Sequence, residues 1–116
     1  MNITTTTQGF ELNGAIDAFV RNRLYVALKR LSAHVVAIDV FAKDTNGPRG
    51  GVDKQVLMRV QLPNRQQVVV ETTHENLYAA IEKGAKRTKA SLRRHLRKAR
   101  QIDKRRLSDL QPAPQT

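Results

Sequence analysis

The sequence predicts an α+β fold, a two-layer β-α-β-β-β-α sandwich in which two helices cover one face of a four-stranded mixed sheet. Three observations predict it. Apolar residues recur at helical spacing in two stretches, near the start and at the end of the chain. Between and before them lie short segments with β-branched residues or period-two alternation. A sheet with one alternating apolar face must be covered, and the two amphipathic helices are the only elements available to cover it. With 116 residues the chain is expected to form one domain over 1–110, followed by a disordered tail over 111–116 that reads QPAPQT.

The elements follow in order. Asn2–Thr7 is rich in Thr and reads as a strand with Ile3, Thr5 and Thr7 toward the core. Gln8-Gly9 ends it. Asn13 is a candidate N-cap for a helix from Gly14 to about Leu31, with Ile16, Phe19, Val20, Leu24, Ala27, Leu28 and Leu31 on one stripe. Val35–Lys43 switches to period two, with Val36, Ile38 and Val40 inward. Asp44–Asp53 contains Asn46-Gly47-Pro48 and Gly50-Gly51 and reads as a loop. Lys54–Leu62 is the clearest strand, with Val56, Met58, Val60 and Leu62 inward, and Pro63-Asn64 turns the chain into a last strand over Arg65–Thr73. The first two strands should be parallel across their helical crossover and the other pairs antiparallel.

The final helix runs from about Asn76 to Leu110, its start left open by about three residues between a capping box at Thr72–Glu75 and an Asn76 cap. Its apolar stripe is Leu77, Ile81, Ala85, Leu92, Leu96 and Ala99, with Thr88 inside it. Within 79–110 stand twelve Lys and Arg against three acids, a net +9 of the whole chain's +11. At ~1.5 Å per residue the helix is about 50 Å long, whereas the strands reach about 30 Å at most at ~3.3 Å per residue, so its Arg-rich end should overhang the sheet.

This charge distribution narrows the function. A basic helix on a nearly balanced body points to a polyanionic partner. Aromatics make up only 4%. The candidates for stacking on single-stranded bases are Phe41, Tyr25 and Tyr78, so contact with the phosphates and shape of folded RNA is the better fit. Catalysis is not expected: His34, His74 and His95 lack ligand spacing, the carboxylates show no pairing, and Gly47–Gly51 does not fit a phosphate-cradling loop. No cysteine is present, which excludes disulfides and thiolate metal sites and suits the cytoplasm. The first residues lack the layout of a signal peptide, and no apolar run reaches the ~18 residues of a membrane span. No cofactor, metal or small-molecule substrate is expected.

The element order, the opening Asn2-Ile3-Thr4 and the segment Asn76-Leu-Tyr-Ala-Ala-Ile-Glu82 resemble the ribosome hibernation-promoting factors, also called ribosome-associated inhibitors or ribosomal subunit interface proteins. In that family a D-x-Y-x-A-I-D-like signature opens the last helix. Phe19-Val20-x-x-Arg23-Leu24 is similar to the family's first helix. The resemblance covers residues 1–100 or so. It implies a domain similar to double-stranded-RNA-binding domains. It also implies a partner, the small ribosomal subunit and its rRNA, bound in the mRNA and tRNA channel so that translation stops. By position it implies rRNA contacts from Arg23, Arg87 and Arg94, with Lys83, Lys86, Arg93, Arg97 and Lys98 extending the surface. The sequence ends without the second domain by which long members pair ribosomes, so ribosome dimerisation by this chain alone is not implied; a monomer off the ribosome is expected. Two departures stand out: Asn76 replaces an acidic cap, and Gly84, Ala85 and Thr88 replace bulkier residues, which predicts looser packing of the last helix. The alternatives are a general RNA- or DNA-binding domain and a protein-interaction module of the sigma-factor-modulating kind.

Overall fold

The computed structural model describes residues 1–44 and 54–110, with side chains placed as far as residue 100. Strand β1 spans Asn2–Gln8 and helix α1 spans Gly14–Leu28, continued by a 3₁₀ turn over Lys29–His34. Strands β2 (Ala37–Asp44), β3 (Lys54–Gln61) and β4 (Gln67–His74) follow, and helix α2 runs from Leu77 to Leu110. The sheet order is β1-β2-β3-β4. β1 pairs with β2 in parallel, Ile3 opposite Ile38, and the other two pairs are antiparallel, with Met58 opposite both Val40 and Val70. The predicted fold class is therefore the observed one. The expected loop over Asp44–Asp53 and the tail over 111–116 lie, apart from Asp44, outside the described residues.

The core forms between the helices and one sheet face. α1 contributes Ile16, Val20, Leu24 and Leu28, all buried. The strands contribute Ile38, Val40 and Ala42, then Val56, Met58 and Val60, then Val68 and Val70. This is the alternation expected of a half-covered sheet. The other sheet face carries Asp39, Phe41, Arg59, Val69 and Glu71, and among the described residues no helix covers it. Asp39 is held there by Arg59 at 3.2 Å and by the Gln61 side-chain amide, which donates at 2.7 Å.

Both helix starts are capped by asparagine. The Asn13 side chain accepts from the Ile16 amide at 2.8 Å. The Asn76 side chain accepts from the amides of Tyr78 and Ala79 at 2.9 and 3.3 Å, while His74 Nδ1 accepts from the Asn76 amide at 2.9 Å. Asn76 is thus the cap, and Thr72 has another task. Its buried hydroxyl donates to the Ala80 carbonyl of α2 at 2.9 Å, tying the last strand to the helix above it.

Three expectations need correction. Val36 is 52% exposed, and Val35 is buried in its stead. Val35 comes off the 3₁₀ turn into the core, whereas Val36 precedes the first residue paired with β3, although its amide still donates to the Gln61 carbonyl. Arg65 does not begin β4, because its φ of 64° places it in the turn with Asn64. The small residues of α2 do not loosen its packing. Gly84 and Thr88 are buried, and a Cβ added at Gly84 would stand 3.0 Å from Met58 Cε and 3.4 Å from Thr72 Oγ1. Absence of a side chain there lets the helix axis approach the sheet, and Thr88 and Met58 fill the space beside it with a 3.5 Å hydroxyl–sulfur contact.

Two outcomes follow for urea unfolding. Gly84→Leu should lower stability by about 1–3 kcal/mol by overpacking, and adding Met58→Ala should recover part of that loss. Thr72→Val should lower it by about 1 kcal/mol by removing the hydrogen bond that ties β4 to the Ala80 carbonyl.

Candidate nucleic-acid interface

The rotation of α2 about its axis decides where its charges point. Ala80, Ile81, Gly84, Ala85, Thr88 and Leu92 face the sheet, and beyond Leu92 no described residue is buried, Leu96 being only partly covered. At 3.6 residues per turn, the cations between these positions occupy one exposed arc. The arc has two flanks. On the first, Lys86, Lys89 and Arg93 border a groove against α1. On the second, the Arg87 guanidinium donates to the Glu71 carbonyl of β4 at 3.3 Å, and Lys83, Arg94 and Lys98 recur at spacings that put them on the same side.

The α1 wall of the groove is built by aromatic contacts. Tyr78 meets Phe19 edge-on at 4.9 Å, and the Arg23 guanidinium lies 5.2 Å from the centre of the Phe19 ring. The pair holds Arg23 at the groove wall. Arg23 Nε is buried and has no hydrogen-bond partner among the described residues. Further along, the 3₁₀ turn brings Lys29 and Arg30 to the same groove beside Val26 and Ala27. Six cations thus border the groove: Arg23, Lys29, Arg30, Lys86, Lys89 and Arg93. Glu82 is the one acid among its lining residues, 4.0 Å from Lys86. Both members of that pair are well exposed, so it neutralises little.

The eight cations singled out in the sequence divide between these surfaces. Arg23, Lys86 and Arg93 line the groove, and Arg97 continues that flank one turn on. Lys83, Arg87, Arg94 and Lys98 form the sheet-edge flank. Sequence reasoning missed Lys29, Arg30 and Lys89 as groove residues. Lys89 was legible, standing three residues after Lys86 and four before Arg93. Lys29 and Arg30 were not, because their placement depends on the 3₁₀ turn that replaces the last turn of the expected helix.

Other chemistries find little here. Among the described residues no group of three His, Cys, Asp or Glu side chains is placed to hold a metal ion. Among the described residues no helix is long and apolar enough to cross a membrane. Phe41, the aromatic on the open sheet face, is 38% exposed with the Arg59 guanidinium 5.4 Å from its ring centre. One aromatic is a small platform for base stacking.

The double variant Lys86→Glu/Arg93→Glu should elute from heparin at clearly lower salt than the parent chain while keeping its melting temperature within a few degrees, since both side chains are exposed. Unchanged elution would remove the groove from the polyanion surface.

Comparisons with known proteins agree with this fold. A ribosomal subunit interface protein from Coxiella burnetii superposes with a TM-score of 0.71 over 82% of this chain and 97% of its own, at 16% identity. The N-terminal domain of Thermus thermophilus Protein Y superposes with a TM-score of 0.67 over 82% of this chain and 99% of its own, at 24% identity. At such identities the superpositions establish a shared fold. No curated protein sequence gives a significant match. The family model described as Sigma 54 modulation protein / S30EA ribosomal protein matches residues 3–100. That match takes in both walls of the cationic groove, and the chain belongs to this family of ribosome-associated, non-enzymatic binding proteins.

Proposed function

We propose that this protein is a ribosome hibernation factor. It binds the rRNA of the small subunit in the mRNA and tRNA channel and inhibits translation by occupying that space. The observation that carries this reading is the uncompensated cationic arc of α2, joined to the α1 groove on a ribosome-associated fold. From residue 77 to residue 100, nine Lys and Arg stand against one acid. Such a surface gains most from phosphate contacts, which fix the position of a compact domain without reading sequence. The action is steric. Helices anchored to phosphates would hold the sheet and core where mRNA and tRNA pass, and no bond is made or broken. On this reading the protein works in the cytoplasm, where ribosomes are, and is monomeric when free.

The family description also carries sigma-factor modulation, which favours a second reading as a protein-interaction regulator. The two differ in salt dependence, because contacts between apolar side chains resist salt that releases phosphate contacts. A general RNA or DNA binder would be displaced from ribosomes by duplex RNA, whereas a channel-seated factor would not.

Sedimentation with purified small subunits tests the proposal. Co-sedimentation is expected at moderate salt and should be lost as salt rises. The variant with Arg87, Arg93, Arg94 and Arg97 changed to Glu should remain in the supernatant and should no longer inhibit translation in a cell-free extract. Failure of the parent chain to co-sediment at moderate salt would sink the proposal.

A further inference from the structure

The turn between β3 and β4 holds its backbone where a side chain is unwelcome. Among the described residues, positive φ outside glycine occurs at Asn64 (68°) and Arg65 (64°) alone. Asparagine tolerates that region through its short polar side chain, but arginine has no such relief, and glycine would sit there without steric cost. Inside the fold nothing offsets the strain. The Arg65 side chain is exposed and takes part in no hydrogen bond or ion pair among the described residues.

The turn is nevertheless fixed, and it is fixed against α2. The Leu62 amide donates to the Gln66 carbonyl at 2.8 Å, closing the turn around Pro63, Asn64 and Arg65. The Gln66 side-chain oxygen lies 2.8 Å from His95 Nε2 on α2. That contact docks the turn, one residue from Arg65, on the part of α2 beyond its last fully buried residue, Leu92. Residues 93–100 there hold Arg93, Arg94, Arg97, Lys98 and Arg100, and neither this segment nor the turn contains an acid. Two unfavourable features therefore coincide: a cation on a strained backbone, and a turn docked on a helix segment rich in like charge. A polyanion is the partner that offsets both.

We propose that Arg65 is an RNA phosphate contact, presented by the strained β3–β4 turn so that the turn and the distal half of α2 grip one stretch of backbone from two elements. This rests on the RNA-binding reading above and adds to it a contact from the sheet side, outside the helices.

Three variants test it on purified small subunits, with affinity measured across a salt series. Arg65→Gly removes both charge and strain, Arg65→Gln removes the charge alone, and Arg65→Lys keeps both. The Gly variant should melt at the same temperature as the parent or a few degrees higher, yet bind roughly three- to tenfold more weakly. Its slope of log affinity against log salt should be shallower by about 0.7–0.9, the loss of one phosphate contact. The Gln variant should bind as weakly as the Gly variant, and the Lys variant within about threefold of the parent. Parent-like affinity and slope in the Gly variant would overturn the contact, and a lowered melting temperature would overturn the claim that the backbone opposes arginine there. Absence of binding by the parent chain would instead overturn the RNA-binding reading itself, so the two failures are distinguishable.

Discussion

The approach of α2 to the sheet at Gly84 is the contact on which the rest of the structure depends. The helix comes close because position 84 has no side chain, and three neighbours use the space. Met58 lies under the glycine, Thr88 follows it one turn later, and Thr72 donates to the Ala80 carbonyl one turn earlier. These contacts fix the rotation of the helix as well as its distance from the sheet. Once Ile81, Ala85 and Leu92 face inward, Lys83, Lys86, Arg87, Lys89, Arg93 and Arg94 have to face outward. The same rotation brings Tyr78 onto Phe19, and through Phe19 it sets Arg23 at the groove.

Magnitudes explain why the helix tolerates its charge. Lys83/Arg87, Lys89/Arg93, Arg93/Arg97 and Arg94/Lys98 are like-charge pairs four residues apart, each unfavourable by roughly 0.2–0.5 kcal/mol. Together they oppose the helix by about 1–2 kcal/mol. Against this, burial of Ile81 or Leu92 alone contributes about 1.5–3 kcal/mol. Packing therefore wins wherever the helix lies on the sheet. Past Leu92, as far as residue 100, no side chain is fully buried but the cations continue, so this stretch has repulsion with little compensating burial. On the proposed function, rRNA phosphates would relieve that repulsion.

Most of the architecture was legible in the sequence because periodicity reports directly on burial. The inward set of β3 and the stripe of α1 emerge as read, and the eight chosen cations all lie on the exposed arc or its groove. What the sequence hid depended on contacts between elements. Gly84 and Thr88 look like packing defects when a helix is read alone, and become the closest point of packing only when Met58 is known to lie beneath them. Val36 has the right parity for the core, but Val35 enters it from a 3₁₀ turn that periodicity did not show. Arg65 reads as the first residue of a strand because nothing in Pro63-Asn64-Arg65 announces a second residue at positive φ. Lys29 and Arg30 join the groove for the same reason that Val35 enters the core, the tighter turn at the end of α1.

On the proposed function, rRNA phosphates neutralise the exposed cations of α2 and its groove. Counting the ions released when the parent chain binds small subunits measures this most directly. With six to ten cations engaged, the slope of log affinity against log salt should be about −4 to −9. A slope near zero with binding retained would contradict the claim, because it would mean that the protein holds the ribosome by contacts other than those its charge distribution provides.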